Sequence, residues 1–340
     1  MRMPGIDVSS VKSAQRTFNY AENVNVFNDT FKEMAWGSEV DLSEMFEYAK
    51  WTGELDLSPW KDFVESANLY QLFERAEGNT LNIEGWKLPS SSNAYDMLDV
   101  RLEYINMNGV TFHVDSQYPY GIMYMSQHEN KGPLTVDMNN TEWYEEYNGA
   151  SSIFYYARGS SADVPVYINL RNAKIHQKNI TYGMFYALQN AVVDLSNWQF
   201  LDNETTLDHM FYSSKNNNEI IGMDTWDWSN ISDVSYMFNY SQMESIDLGR
   251  FNIPEGCNVY DMFFGAAQLQ TVYVNEEFKG LPSVINGEKM LVGTSALMGG
   301  AGTKSSEVIK NRDDSTRLSD TVYFRVDGGS ASPGLLTLKN

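Results

Sequence analysis

Residues 229–266 read SNISDVSYMFNYSQMESIDLGRFNIPEGCNVYDMFFGA. One phrase occurs twice in this stretch. Val234-Ser235-Tyr236-Met237-Phe238 is echoed by Val259-Tyr260-Asp261-Met262-Phe263, with Phe238 and Phe263 25 residues apart. Between the copies lies Ile246-Asp247-Leu248, followed three residues later by Phe251. Self-similarity at a spacing of about 20–50 residues is the signature of stacked repeats.

The same phrase runs upstream. Its second member falls at Phe18, Phe46, Phe73, Leu98, Tyr124, Phe154, Phe185, Phe211, Phe238 and Phe263, in steps of 28, 27, 25, 26, 30, 31, 26, 27 and 25. Ten anchors on one ruler imply core pegs, so Met45, Phe46, Met184, Phe185, Met210, Phe211, Met237, Phe238, Met262 and Phe263 are expected inside. The long steps run from Tyr124 to Phe185, and irregular units are expected at 109–182.

Each anchor is followed by an apolar-x-apolar phrase, from Val24-Asn25-Val26 through Leu55-Asp56-Leu57 and Ile221-Gly222-Met223 to Val272-Tyr273-Val274. Such alternation predicts a half-buried strand. Its middle residue points outward and is Asp or Asn in eight of the ten copies. Trp60, Trp86, Trp198, Trp226 and Phe251 follow three residues later. Val234, Met237 and Phe238 have i, i+3, i+4 spacing, which predicts one or two helical turns opposite the strand.

The expected fold class is an α/β repeat solenoid, leucine-rich-repeat-like, with short strands in one continuous parallel sheet and short helical turns opposite. Residues 1–17 read as an N-terminal cap or attachment segment and 18–278 as about ten repeats, irregular at 109–182. Residues 279–340 lose the phrase, turn rich in Gly, Ser and Lys, and read as a C-terminal cap. A repeat core needs such polar ends.

Asp247-Leu248-Gly249-Arg250-Phe251 and Leu195-Ser196-Asn197-Trp198 are similar to the "LDLSNW/F" phrase of the BspA-like leucine-rich repeats of bacterial surface proteins, found also in phage proteins. Ser232-Asp233-Val234-Ser235-Tyr236-Met237-Phe238 resembles their "VTDMSYMF". Near the end, Gly299-Gly300-Ala301-Gly302-Thr303, Tyr323-Phe324-Arg325-Val326-Asp327-Gly328-Gly329 and Ser332-Pro333-Gly334 are similar to the "GGNGT", "YARIDGG" and "PGYFT" that close such arrays. The resemblance is strong over about 184–274 and implies a surface-displayed recognition protein.

The formal charge is −21, which makes nucleic acid a poor partner. Cys257 is the only cysteine, so neither an internal disulfide nor a multi-cysteine metal site is available. No run approaches the roughly 18 apolar residues of a membrane span, so no membrane insertion is expected. The opening MRMPGIDVSSVKSAQRTF lacks the apolar core of a secretory signal. His113, His128, His176 and His209 show no metal-ligand spacing, and no GxSxG elbow occurs. The run 299–305 is not a phosphate loop, because Thr303 separates Gly302 from Lys304. No catalytic residue, cofactor or metal is expected.

The Asp and Asn column, including Asp56, Asn82, Asn106, Asp137, Asn169, Asp194 and Asp247, reads first as a hydrogen-bonded ladder and second as a cation or polyol strip. Aromatic residues outside the core pattern crowd the irregular middle: Tyr118, Tyr120, Trp143, Tyr144, Tyr147, Tyr155 and Tyr156. They are the candidate ligand-binding residues, since Tyr and Trp dominate recognition surfaces and solenoid irregularities concentrate function. The expectation is a non-enzymatic recognition module on a phage virion appendage, engaging a host-surface protein or glycan. The alternatives are a structural or decoration subunit contacting neighbouring virion subunits, homo-oligomeric copies included, and an extracellular or bacterial cell-surface adhesin.

Overall fold

A computed structural model describes residues 7–90, 94, 96–114, 133–145, 154, 157–159, 163–176, 178, 181, 183–215, 218–284, 286–309 and 320–339. The strands are short, and every pairing between them is parallel among the described residues. A seven-stranded sheet runs Glu54–Asp56, Thr80–Asn82, Tyr104–Asn106, Leu134–Asp137, Val166–Asn169, Ala191–Asp194, Glu219–Ile221. Its register aligns Leu55, Leu81, Ile105, Val136, Ile168 and Val193, all fully buried. Parallel neighbours about 4.8 Å apart thus put one unit's apolar residue directly beneath the next.

The outward Asp and Asn column closes on itself. Asn82 donates to Asp56 (3.1 Å), Asn106 donates to Asn82 (3.0 Å), and Asn169 donates to Asp137. At Asp56, Asn82, Asn106, Asp194 and Asp247 the first oxygen also caps the backbone two residues on, as Asp194 does for Ser196 N and Asp247 for Gly249 N, both at 3.0 Å. These side chains hold the turn that ends each strand.

The expected single continuous sheet is instead several. A five-stranded sheet of Lys87–Ser90, Thr111–Val114, Glu142–Glu145, Lys174–Ile175 and Gln199–Phe200 lies beside the first, and smaller sheets include Ser245–Asp247, Thr271–Val274, Leu336–Leu338. The cause is a left-handed corner inside each middle unit, at Gly85, Gly109, Asn140, Asn172 and Asn197, which ends one strand and starts the other. Gly and Asn tolerate that conformation. The buried indoles lock the corners: Trp86, Trp198 and Trp226 donate from Nε1 to the carbonyls of Leu57, Leu170 and Leu195 in the preceding unit, at 2.7–2.8 Å. One expected register slips. Ile221, not Gly222, pairs with Asp194, so Ile221 faces outward. A one-residue slip exchanges the faces of a strand.

The Met-Phe phrase is not the expected helical turn. Tyr236 and Tyr240 have φ of 54° and 52°. Met237 N donates to Val234 O and Ser241 N to Phe238 O, two tight turns with a left-handed third residue. The alternate donors leave the unit: Tyr236 N, Phe238 N and Tyr240 N reach Tyr260 O, Met262 O and Phe264 O at 2.8–3.0 Å. A helix would keep these N–H groups within its own turn. The same paired left-handed sites recur at Glu44 and Tyr48, and at His209 and Ser213. Each costs a non-glycine residue about 1–2 kcal/mol, which the bonds between units and the packing beneath them offset. True helix is limited, among the described residues, to short pieces such as Asn28–Phe31 and Ser305–Val308.

Beneath this ribbon the phenylalanines stack. Phe154, Phe185, Phe211, Phe238 and Phe263 follow one another at 5.2–5.4 Å with rings within 7° of parallel. Phe18, Phe46 and Phe73 form an equivalent stack at 5.3–5.5 Å. All ten expected pegs are buried.

Both expected boundaries move. Residues 8–17 already belong to the first unit, since Ala14 N and Arg16 N bond to Asp41 O and Ser43 O. At the other end the ribbon continues through Met290-Leu291, where Phe263 N donates to Met290 O at 2.9 Å. Leu336–Leu338 then pairs with Thr271–Val274, and Phe324 stacks on Phe263 at 5.9 Å. The C-terminal segment is therefore part of the core as well as its cover. Its three motifs meet at Asp327, whose carboxylate accepts from Ala301 N, Thr303 N, Thr303 Oγ1, Gly329 N and Gly334 N. No helix among the described residues is long and apolar enough to cross a membrane.

Candidate functional site

Alternation along Glu142–Glu145 sends Trp143 inward and Tyr144 outward. Trp143 is fully buried, stacked on Phe112 at 4.0 Å, and its Nε1 donates to Thr141 Oγ1 at 2.9 Å. It is a core residue and offers no surface to a ligand, which corrects the expectation for it. Tyr118, Tyr120, Tyr147, Tyr155 and Tyr156 lie outside the described residues.

Tyr144 sits in the middle of a row. Pairing sets His113 opposite Tyr144 and Ile175 opposite Trp143, so His113, Tyr144 and His176 share one face across three strands. Their rings stack, His113 on Tyr144 at 5.4 Å and Tyr144 on His176 at 4.1 Å. Tyr144 donates its hydroxyl to Glu142 Oε2 (2.9 Å), and Lys174 Nζ donates to Glu142 Oε1 (2.7 Å). His176 Nε2 lies 3.3 Å from Glu142 Oε2 without hydrogen-bond alignment. The Lys174 hydrogen bond, helped by that of Tyr144, holds the Glu142 carboxyl below its ordinary range despite partial burial. The same Glu142 contact pushes the Tyr144 hydroxyl up, so it stays protonated at neutral pH.

This arrangement presents ring edges, a fixed carboxylate and a lysine on a rigid sheet. It offers contact chemistry: the Tyr144 proton is held by Glu142 rather than released toward a reacting atom. Spacing along the chain does not mark His113, His176 and Glu142 as neighbours of Tyr144, because strand pairing brings them together. The available signal was the repeat step: His113, Tyr144 and His176 are separated by 31 and 32 residues, like the long anchor steps.

A second row lies on the turn ribbon. His209 stacks on Tyr236 (4.5 Å) and Tyr212 (5.1 Å), and Tyr212 on Tyr186 (5.1 Å). His209 is thus a stacked, half-buried residue. A group of carboxylates, Glu44, Glu47, Glu74, Asp96 and Asp99, follows the ribbon upstream; burial, then Asp99 and Glu74, push Asp96 up to about 6. Among the described residues no group of three or more His, Cys, Asp or Glu is arranged to hold a metal. Cys257 is buried, and burial pushes its thiol up to about 12.

Residues 3–108 and 177–298 match the family model described as Mycoplasma protein of unknown function, DUF285. The chain belongs to this family. The matched spans of the DUF285 chain cover the regular units on both sides and leave out 109–176, the stretch that carries His113, Tyr144 and His176. No curated protein and no solved structure matches it.

Proposed function

We propose that this DUF285 chain is a non-enzymatic recognition module. It is built as a leucine-rich-repeat-like solenoid of the BspA-like kind and displayed outside the cell, as a phage virion appendage that engages a protein or glycan on the host surface. The observation that carries this reading is the His113–Tyr144–His176 row, a rigid outward set of rings and polar tips in the irregular middle of an otherwise regular array. Aromatic groups held in place lose little entropy on contact, which suits them to recognition. A bacterial cell-surface adhesin is the second reading, favoured by a family described from Mycoplasma.

The test uses the full chain on a glycan array and on host-envelope preparations. Tyr144→Ala is expected to weaken binding by about tenfold or more, with little change in melting, since Tyr144 lies on the sheet surface. Equal binding by the variant removes the row as the contact site. No binding of the unaltered chain to any envelope component removes the recognition reading itself.

A further inference from the structure

We propose that the turn ribbon around Asn239, Tyr240 and Asp261 is a binding site for a guanidinium group, carried by an arginine side chain of a protein partner. The bonds between units set the neighbours there. His209 N, Tyr236 N and Asp261 N donate to Ser235 O, Tyr260 O and Glu288 O of the following unit, at 3.0–3.3 Å. Ala187 N, Ser213 N and Tyr240 N donate likewise to Tyr212 O, Asn239 O and Phe264 O, at 2.8–2.9 Å. One column of this ribbon therefore reads His209, Tyr236, Asp261, Lys289, and another reads Tyr186, Tyr212, Asn239, Phe264. In each, the rings are interrupted by one short polar side chain.

Those two interruptions are buried and unpaired. Asn239 is 2% exposed and Asp261 8%. Asn239 Nδ2 donates to Asp261 O at 3.3 Å, so the amide leans from one unit onto the next. Neither Asn239 Oδ1 nor Asp261 Oδ1 accepts a hydrogen bond from any described residue. Buried side-chain oxygens are nearly always satisfied, so two unsatisfied acceptors joined through one hydrogen bond mark a place that lacks a donor. Burial pushes the Asp261 carboxyl up, and Lys289 offsets this only in part. A cation brought to Asp261 would relieve that cost.

The same ribbon holds a guanidinium elsewhere. Tyr48 stands two residues after Phe46 as Tyr240 does after Phe238, and both are left-handed. Over Tyr48 lies Arg75, supplied by the following unit, with its guanidinium 5.5 Å from the ring centroid and its Nε 3.6 Å from Glu74 Oε1. Ring and carboxylate together seat that arginine. At the place of Arg75 the unit after Tyr240 has Gly265, which has no side chain to offer. A Cβ there would lie 2.6 Å from Tyr240 Cδ1, so the tyrosine ring rests directly on the glycine. Tyr240 is 51% exposed and meets Phe264 and Tyr212 only edge-on, at 5.5 and 6.3 Å. This unit thus has the ring and the acceptors but not the arginine.

The donor set selects the occupant. A divalent metal wants several carboxylates, and among the described residues no group of three or more His, Cys, Asp or Glu is arranged to hold one. One carboxylate, one amide oxygen and a surround of rings suit an organic cation. A guanidinium carries five N–H donors in a plane, enough to reach both acceptors while stacking on tyrosine. Lys289 already sits at the rim, with Nζ 5.8 Å from the Tyr260 ring centroid. The charge of −21 draws basic partners to the chain as a whole. The rings spread over successive units, a wider surface than a small free cation covers, which points to a protein as the carrier.

The test titrates the full chain with the peptide acetyl-Gly-Arg-Gly-amide by calorimetry. Saturable binding is expected with a Kd on the order of 1 mM, as one buried side chain would give. The same peptide with citrulline, a neutral isostere of arginine, is expected to bind at least about tenfold more weakly. Asp261→Asn is expected to weaken the arginine peptide by about tenfold while melting no lower than the unaltered chain, because it removes a buried, unpaired charge. Tyr144→Ala should bind the peptide like the unaltered chain, which keeps this site separate from the row proposed above. Absence of saturation overturns the proposal, as does equal binding of the citrulline peptide or equal binding by Asp261→Asn. Weaker binding together with lower melting in Asp261→Asn makes that residue structural and overturns it too. Methylguanidinium binding as tightly as the peptide overturns the assignment to a protein partner.

Discussion

Replacing Phe238 with alanine is expected to split the melting of the array into two transitions. Phe238 is fully buried and stacks between Phe211 and Phe263, at 5.4 Å on each side. Truncation leaves a cavity and costs about 3–5 kcal/mol, and each lost ring pair adds about 0.5–1.5 kcal/mol. In stacked repeats each unit is held by its neighbours alone, so a deep local loss uncouples the two flanks. Circular dichroism should show two steps, and hydrogen exchange should show protection lost first around 211–263. Tyr240→Ala, two residues on at a position 51% exposed, is the control and should change the melt little. A single, slightly lowered transition for Phe238→Ala means that the phenylalanine stack does not couple the units.

Asp327→Ala is expected to release the C-terminal closure by at least about 3 kcal/mol. The carboxylate accepts from Ala301 N and Thr303 N (2.9 Å each), Thr303 Oγ1 (2.7 Å), Gly329 N (2.9 Å) and Gly334 N (3.4 Å). Removing it leaves several part-buried donors without this acceptor, each costing about 1–3 kcal/mol if unpaired. Burial alone would raise this carboxyl, but the bonds from Thr303, Gly329 and Gly334 overcome it and lower the group to about 2. A depressed folded value stabilises the fold above the ordinary carboxyl range, and that stability is lost as pH falls through the folded value. The closure should therefore loosen between about pH 4 and pH 2, read as exposure of Phe324 and exchange along Thr271–Val274. Asp327→Asn should lack that acid step and start from the loosened state. An acid profile unchanged by the substitution separates Asp327 from the closure.

The repeat and its core were legible because the stacking leaves a spacing in the chain. Phe46, Phe185, Phe211, Phe238 and Phe263 had to recur at one interval to lie on one another. The local form of the Met-Phe phrase was not legible. Spacing of i, i+3, i+4 fits a helix and also fits two consecutive tight turns. The choice is made by N–H groups that bond to the next unit, a tertiary effect, and it forces Tyr236, His209 and Glu44 into a left-handed conformation that their own preferences oppose. The two-strand form of the middle units could have been read from Gly85, Gly109, Asn140 and Asn172, all residues suited to a left-handed corner. In the candidate site, strand alternation alone separates Trp143 from Tyr144. The partnership of Tyr144 with His113 and His176 is made across strands, where sequence neighbours carry no information. The Asp327 closure was visible as three glycine-rich motifs, but the carboxylate that gathers them was not.

In a stack of units held in one register, a whole unit can be removed and a part of one cannot. Deleting 212–238 joins Phe211 to Asn239 and removes one full step, since Phe211 and Phe238 occupy the same place in successive units. The shortened chain should fold, with the same far-ultraviolet spectrum per residue and a cooperative melt at a slightly lower temperature. Deleting 212–224 removes half a step, sets buried against exposed positions, and should abolish cooperative melting. Equal behaviour of the two deletions, folded or unfolded, would contradict the claim.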